Sequence, residues 1–176
     1  LLTRQSLLKK VNRIRDRLPD LRHILLVDAE NHLAADVLSY QRLMREASAD
    51  FVVAPTSPET PSILHYTSGS TGKPKGVLHV HGALPTIVGT TRDVLGVGAG
   101  DVFWCTADPG WVTGTSYGII GPWAVGATQV HYAGNFDAGA WMTILEQERV
   151  NVWYTAPTAL RMLMREEASL YAGRHL

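Results

Sequence analysis

Residues 64–76, LHYTSGSTGKPKG, form a short polar segment rich in glycine between two apolar runs. Its three glycines can turn backbone N–H groups toward one point without steric penalty. Hydroxyl groups and fixed positive charges accompany them, from Thr67, Ser68, Ser70, Thr71, Lys73 and Lys75. Backbone donors, hydroxyls and cations that converge in one short loop form a phosphate cradle. The segment therefore predicts a phosphate-binding loop at the carboxyl end of a strand, where α/β sheets bind ligands.

This loop differs from the Walker phosphate loop, which needs Gly, four residues and then Gly-Lys-Ser/Thr. Here two residues separate Gly69 from Gly72. Pro74 follows Lys73 and blocks the helix that a Walker loop would open. A polar surface hairpin without a ligand is the alternative interpretation, and the two flanking apolar strands disfavour it. The segment predicts nucleotide-phosphate binding in an architecture other than the Walker fold.

Outward from this loop, apolar runs typical of strands alternate with segments of helical periodicity. The predicted strands are residues 23–27, 62–66, 77–80, 101–105, 128–132 and 150–155. The predicted helices are residues 6–18, 40–47, 83–95, 137–148 and 157–167, with Ser39 and Asp137 as N-caps. This alternation predicts an α/β fold with a layered, mostly parallel sheet flanked by helices.

A second informative segment, residues 106–118, reads TADPGWVTGTSYG and follows a predicted strand. Asp-Pro-Gly at 108–110 is typical of a tight turn. We expect the Asp108 carboxylate to accept a hydrogen bond from the N–H of Gly110 or Trp111.

Residues 64–76 resemble the signature of the acyl-adenylate-forming superfamily, which holds acyl-CoA synthetases, nonribosomal peptide adenylation domains and luciferases. The resemblance covers residues 62–167 and, more loosely, residues 1–50. In that family the loop closes over the β- and γ-phosphates of ATP. The resemblance implies catalytic roles for Thr67 and Lys73. It implies phosphate binding by Thr67, Ser68, Gly69, Ser70, Thr71, Gly72, Lys73 and Lys75.

Residues 106–118 are similar to the corresponding segment of acetyl-CoA synthetases and other short-chain acyl-CoA synthetases. In that branch Val112 and Thr113 match positions that line the alkyl pocket of the carboxylate substrate, with Trp111 beside them. A branched methyl face next to a hydroxyl suits a small pocket. Acetate, propionate and other small acids stay open, because one methylene changes binding by only about 1–3 kcal/mol.

The resemblance implies ATP-dependent activation of a small carboxylate to an acyl adenylate and then to acyl-CoA, with ATP, Mg²⁺ and coenzyme A as cofactors or co-substrates. Two alternatives stay open: an adenylating domain that feeds a non-CoA acceptor such as a carrier protein, and a non-catalytic fragment that only binds nucleotide. The family's aromatic-Thr-Glu segment and its C-terminal lid domain with a catalytic Lys find no match in residues 1–176. The resemblance therefore implies part of the large N-terminal domain of an acetyl-CoA synthetase-like fold, inactive alone.

Within that single domain we expect a peripheral segment at residues 1–50, a proline-rich linker loop at 51–61 and a core at 62–167 that carries the phosphate loop. The 16 Lys+Arg and 16 Asp+Glu residues balance to zero formal charge, which disfavours a dedicated nucleic-acid binder. The expected protein is a cytoplasmic enzyme that acts on small molecules without a membrane, with a homo-oligomer as one option.

Metal and disulfide chemistry find little support in the composition. A single Cys excludes an internal disulfide framework and a Cys-based zinc site. His79 and His81 lie on one side of a predicted strand, and no third ligand accompanies them in sequence, so no metal site is predicted. Cys105 lies in an apolar strand beside Trp104 and is interpreted as a core residue.

Overall fold

The computed structural model of the chain describes residues 1–30, 33–68 and 72–174. These residues form two compact units, Leu1–Ala54 and Pro55–Leu176. The boundary between the units falls within the proline-containing segment 51–61. In the described ranges, no helix combines the length and the apolar character that crossing a membrane requires.

The first unit is built on a parallel sheet. Its strands pair in the order β1 (Leu2–Thr3), β2 (Ile24–Leu26) and β3 (Val37–Ser39). Its helices are α1 (Gln5–Asn12) and α2 (Tyr40–Glu46). Buried Ile24, Leu26 and Val37 form the core, and side chains of α1 pack against it. The Ser39 hydroxyl accepts a hydrogen bond from the Arg42 N–H at 3.1 Å, which confirms the predicted N-cap of α2.

The predicted helix at 6–18 is too long. The α-helix ends at Asn12, and a 3-10 turn at Arg15–Arg17 follows it. That turn places the Arg15 guanidinium 2.8 Å from the Asp36 carboxylate, and the two side chains form an ion pair within the first unit. The 3.6-residue period of the apolar positions carries no information about this partner, which lies 21 residues away in sequence.

The phosphate-loop segment lies in an antiparallel hairpin. Strands β4 (Pro61–Ser68) and β5 (Pro74–Val80) pair along their length, and each is longer than predicted. The segment between them therefore connects the two strands of a hairpin and does not lead from a parallel strand into a helix. The mostly parallel sheet that the sequence predicts is found in the other two sheets.

The core sheet of the second unit is parallel, in the order β7 (Thr128–Val130), β6 (Val102–Cys105), β8 (Val152–Tyr154). Its helices are α3 (Leu84–Asp93), α4 (Val112–Thr115), α5 (Gly121–Ala124), α6 (Ala138–Gln147) and α7 (Pro157–Leu163). A π-helical segment, Ser116–Ile120, continues α4 into α5. Because the three strands run in one direction, residues that follow β6 and β8 meet at one edge of the sheet.

Aromatic packing holds α6 on this sheet. Trp104 of β6 and Trp141 of α6 are buried, and their ring centroids lie 5.2 Å apart. Trp153 of β8 stacks on Trp104 with a centroid distance of 6.1 Å. Helix α6 begins as predicted, because the Asp137 carboxylate accepts a hydrogen bond from the Ala140 N–H at 2.7 Å.

Asp101 joins the starts of two strands. Its carboxylate accepts hydrogen bonds from the Gly98 N–H at 2.7 Å and from the Asn151 amide at 2.8 Å. These bonds, with that of Gly98 first, lower the pKa of Asp101. The Asn151 side chain in turn accepts from the Val102 N–H at 2.8 Å.

This bonding predicts a pH dependence of stability. A carboxyl whose pKa is lower in the folded state stabilises the fold above its unfolded pKa, and the contribution disappears as the pH falls through the folded pKa. We expect Asp101→Asn to reduce the loss of thermal stability between pH 6 and pH 3, measured by circular dichroism. If the variant lost as much thermal stability between pH 6 and pH 3 as the wild type, the assignment would be contradicted. Asp50→Asn, at an exposed position, is the matched control.

Candidate active site

The end of the hairpin brings several of the predicted phosphate-binding residues together. Thr67 pairs with Lys75 across the strands, and Ser68 pairs with Pro74. Gly72 has φ +81°, a left-handed conformation that glycine adopts without strain. The predicted residues Gly69, Ser70 and Thr71 lie outside the described residues.

The two lysines of the hairpin end are available to an anion. Lys73 and Lys75 are exposed. Among the ion pairs that the described part of the chain forms, none involves either lysine. Thr67 and Ser68 are exposed at the same end, so hydroxyl donors and ammonium groups lie together at the end of the hairpin, with Thr67 directly across from Lys75.

The turn after β6 is closed by its own side chains. The Asp108 carboxylate accepts a hydrogen bond from the Gly110 N–H at 2.6 Å, which confirms the predicted role of this aspartate. The Thr115 hydroxyl donates to the Pro109 carbonyl at 2.6 Å. Together they hold residues 108–115 as one compact turn and helix start, on which Trp111 and Thr113 are placed.

Gly114 is required where this turn packs on itself. A Cβ at this position would overlap the carbonyl oxygen of Asp108 and would lie 2.8 Å from that of Ala107. Both neighbours are backbone atoms, so no side chain can rotate away to make room. The sequence showed Gly114 as one of many glycines, without a signal for this close approach.

Trp111 and Thr113 line a cavity of about 470 Å³ at the carboxyl edge of the parallel sheet. Its other walls come from the last residues of β6 and β8 and from residues that follow them, namely Cys105, Ala107, Asp108, Tyr154, Thr155, Ala156 and Pro157. Trp111 is 62% exposed at the mouth. Val112, the third predicted pocket residue, lies on the same turn and is not among the residues that form the cavity wall.

Two threonines join the ends of β6 and β8 beside this cavity. The hydroxyls of Thr106 and Thr155 lie 2.6 Å apart and join the residues that follow β6 and β8. The Thr106 N–H also donates to the Tyr154 carbonyl at 3.1 Å. Sequence reasoning missed Tyr154 and Thr155 as cavity residues. Their position at the end of the predicted strand 150–155 was the available signal, since parallel strands end at one edge.

Cys105 behaves as a packing residue. Burial raises the pKa of its thiol, with a hydrogen bond from the Ala107 N–H acting in the opposite direction. A thiol with a raised pKa is protonated at neutral pH and is a poor nucleophile.

A family profile covers almost the whole chain. The profile described as "AMP-binding enzyme" matches residues 1–175. The chain belongs to the AMP-binding enzyme family. This membership confirms the superfamily that residues 64–76 resemble.

Relatives within the family are acetyl-CoA synthetases. The chain is 47% identical over 149 residues to acetyl-coenzyme A synthetase of Bacillus subtilis, covering 85% of this chain and 26% of that relative. It is 48% identical over 131 residues to acetyl-coenzyme A synthetase 2 of Pseudomonas aeruginosa, covering 72% of this chain and 20% of the relative. The chain therefore spans about a quarter or less of the length of these relatives.

Solved structures of the family share the fold. The crystal structure of Brucella canis acyl-CoA synthetase superposes with a TM-score of 0.87 at 24% identity, over 97% of this chain and 31% of that one. An anthranilate CoA ligase in complex with anthranoyl-AMP superposes with a TM-score of 0.82 at 28% identity, over 97% and 34%. These likenesses confirm the predicted α/β architecture of an acyl-CoA synthetase N-terminal domain.

Proposed function

We propose that this chain provides the phosphate-binding hairpin and the acyl pocket of an AMP-forming ligase that converts a short-chain carboxylate, acetate first, to its CoA thioester. The observation that carries the proposal is the end of the hairpin, where exposed hydroxyls and two exposed lysines lie together and Thr67 pairs with Lys75. A polyphosphate is strongly anionic, and ammonium and hydroxyl donors are its usual partners in proteins. The acetyl-CoA synthetase relatives support the choice of reaction.

In the proposed reaction, a carboxylate oxygen attacks the α-phosphorus of ATP and pyrophosphate leaves. The CoA thiol then attacks the acyl carbon, loses its proton and displaces AMP. Such phosphoryl chemistry depends on positioning and charge neutralisation more than on a protein nucleophile. We assign neutralisation of the leaving pyrophosphate to Lys73, with Lys75 nearby. Hydrogen bonds to the phosphates are assigned to Thr67, Ser68, Gly69, Ser70, Thr71 and Gly72.

Magnesium enters this proposal with ATP, as the MgATP substrate. Among the described residues, no group of three or more His, Cys, Asp or Glu side chains is placed to hold a metal ion. We therefore assign no metal ligand to this part of the chain and no step to the ion.

We assign binding of the carboxylate's alkyl group to Trp111, Val112 and Thr113. A pocket of this kind distinguishes acids by how much apolar volume it leaves beside the carboxylate. We further propose that residues 62–167 form the catalytic core, that residues 51–61 link it to a peripheral segment, and that the activity is cytoplasmic, where ATP and CoA are at hand.

A second candidate is nucleotide binding without turnover by the chain itself. The chain spans only 20–26% of the length of the two acetyl-CoA synthetase relatives. This favours the second candidate, since the remaining length of those relatives offers further groups for the reaction. An adenylating domain that feeds a carrier protein gains no support from the relatives' names.

The test is a chimera in which this chain replaces the matching segment of the Bacillus subtilis relative, with the unmodified relative as control. We expect acetate-dependent formation of AMP, pyrophosphate and acetyl-CoA by the chimera. The 176-residue chain alone should bind MgATP in calorimetry and form no acyl-CoA. A folded chimera that transfers acetyl to a pantetheinyl carrier protein and not to CoA would contradict the ligase proposal. Turnover by the isolated chain would contradict the second candidate.

Val112 offers a test of the acyl pocket in the same chimera. Val112 is not in the wall of the cavity beside Trp111, and its assignment to the acyl pocket rests on the resemblance. If the assignment holds, Val112→Ala removes two methyl groups from the pocket, and the ratio of kcat/KM for propionate to that for acetate should rise about tenfold. The matched control is Val94→Ala, because Val94 is 76% exposed at the end of α3. If the propionate-to-acetate ratio of kcat/KM were equal in both variants, the assignment of Val112 to the acyl pocket would be wrong.

A further inference from the structure

Among the described residues, one side-chain hydrogen bond joins the phosphate hairpin to the turn of the acyl pocket. The His65 Nε2 atom, on β4, lies 3.0 Å from the Thr115 hydroxyl oxygen at the end of α4. His65 and Thr67 are two residues apart on one strand, so their side chains lie on the same face of the hairpin. Thr115 closes the turn that carries Trp111 and Thr113.

The direction of this bond follows from the other bonds of Thr115. A hydroxyl has one proton, and that of Thr115 is directed to the Pro109 carbonyl at 2.6 Å, with the Trp111 carbonyl more distant at 3.3 Å. The oxygen therefore accepts from His65, and Nε2 carries the proton. The Nδ1 atom of His65 is buried and has no hydrogen-bond partner within the described residues. A neutral ring with its proton on Nε2 fits both observations.

We propose that His65 is a positioning residue that holds the acyl-pocket turn against the phosphate hairpin through its Nε2–H bond to Thr115. The proposal rests on the function proposed above. Because Thr115 also closes the turn through Pro109, a displacement of the hairpin by a bound polyphosphate is transmitted to Trp111 and Thr113 through this hydrogen bond. Phosphate binding and acyl binding are thereby coupled.

His79 supplies a matched control for this contact. Its ring packs edge-on against His65 with a centroid distance of 5.3 Å, and both rings border a cavity of about 330 Å³. Among the side-chain hydrogen bonds of the described residues, none involves the His79 ring. Substitution of His79 perturbs the same cavity and leaves the bond to Thr115 in place.

The first experiment needs no ligand. In the 176-residue chain, ¹⁵N NMR should find His65 as the Nε2–H tautomer. Hydrogen exchange at the Trp111 and Thr115 amides should be about five- to tenfold faster in His65→Ala, as expected for one lost hydrogen bond. His65→Gln, whose amide N–H reaches the same position, should restore protection, and His79→Gln should leave it unchanged. An Nδ1–H tautomer, or unchanged exchange in a folded His65→Ala chain, would overturn the proposal. Thr115→Val, which removes the acceptor and keeps the shape, is the second variant if the alanine variant does not fold.

The second experiment tests the coupling. Saturating MgATP should shift the indole N–H resonance of Trp111 in the wild-type chain and in His79→Gln. In His65→Ala this shift should fall at least about fivefold, while the Kd for MgATP changes by less than about threefold, since the bond is made away from the phosphates. A shift of equal size in His65→Ala would overturn the coupling. If the wild-type chain binds no MgATP, the proposed function fails for this chain, and the tautomer and exchange results still decide whether His65 positions the turn.

Discussion

Replacing Lys73 with alanine should weaken MgATP binding to this chain about 10- to 100-fold, measured by isothermal titration calorimetry. Hydrogen bonds to charged groups contribute about 1.5–3 kcal/mol, and each 1.4 kcal/mol corresponds to a tenfold change in Kd. The lysine is exposed at the hairpin end, and no described carboxylate pairs with it to offset the loss. Low ionic strength is the appropriate condition, because salt screens an exposed charge.

Lys10→Ala is the matched control for this loss. Lys10 is also exposed, on α1 of the first unit, and its removal changes the net charge by the same amount. The control should bind MgATP with a Kd within about twofold of wild type, because Lys10 does not belong to the hairpin end to which phosphate binding is assigned. Equal weakening in both variants would mean that binding follows net charge, and the phosphate-hairpin assignment would be wrong.

Gly114→Ala should lower the stability of the chain by about 3 kcal/mol or more, because the new methyl group overlaps backbone oxygens that have no rotamer to change. For a chain of this length, the melting temperature should fall by about 6–12 °C in differential scanning calorimetry. The displaced backbone at residues 107 and 108 also borders the cavity beside Trp111, so acyl binding should weaken in parallel.

Gly89→Ala is the control for this substitution. Gly89 lies within α3, and a Cβ built there meets nothing within 4 Å. Alanine is the better helix former, so this variant should be more stable by about 0.5–1 kcal/mol. The two substitutions add the same methyl group and are expected to act in opposite directions. A Gly114→Ala melting temperature equal to wild type would contradict the close backbone packing.

Several local features were predictable because the residues that make them are near one another in sequence. Ser39 and Asp137 cap the helices that follow them, and the Asp108 carboxylate binds the Gly110 N–H two residues on. Each of these bonds spans at most three residues, so the residue type and its spacing carry the information.

Other features depend on partners far away in sequence. Helix α1 ends at Asn12, and Arg15 in the 3-10 turn that follows pairs with Asp36, 21 residues later. The cavity beside Trp111 takes its second wall from the residues after β8, which the parallel pairing of β6 and β8 brings to the same edge. Periodicity reports which face of an element is apolar and not which element will cover it.

The sequence by itself determined the family, through the glycines, hydroxyls and lysines of residues 64–76, and the α/β class, through the alternation of strands and helices. Tertiary structure alone decided that this segment spans an antiparallel hairpin, that Gly114 contacts backbone, and that His65 reaches Thr115 across 50 residues. The physical reason is the range of the interactions. Turn and capping chemistry acts between neighbours along the chain, whereas strand pairing, close packing and side-chain hydrogen bonds between elements exist only once the chain has folded.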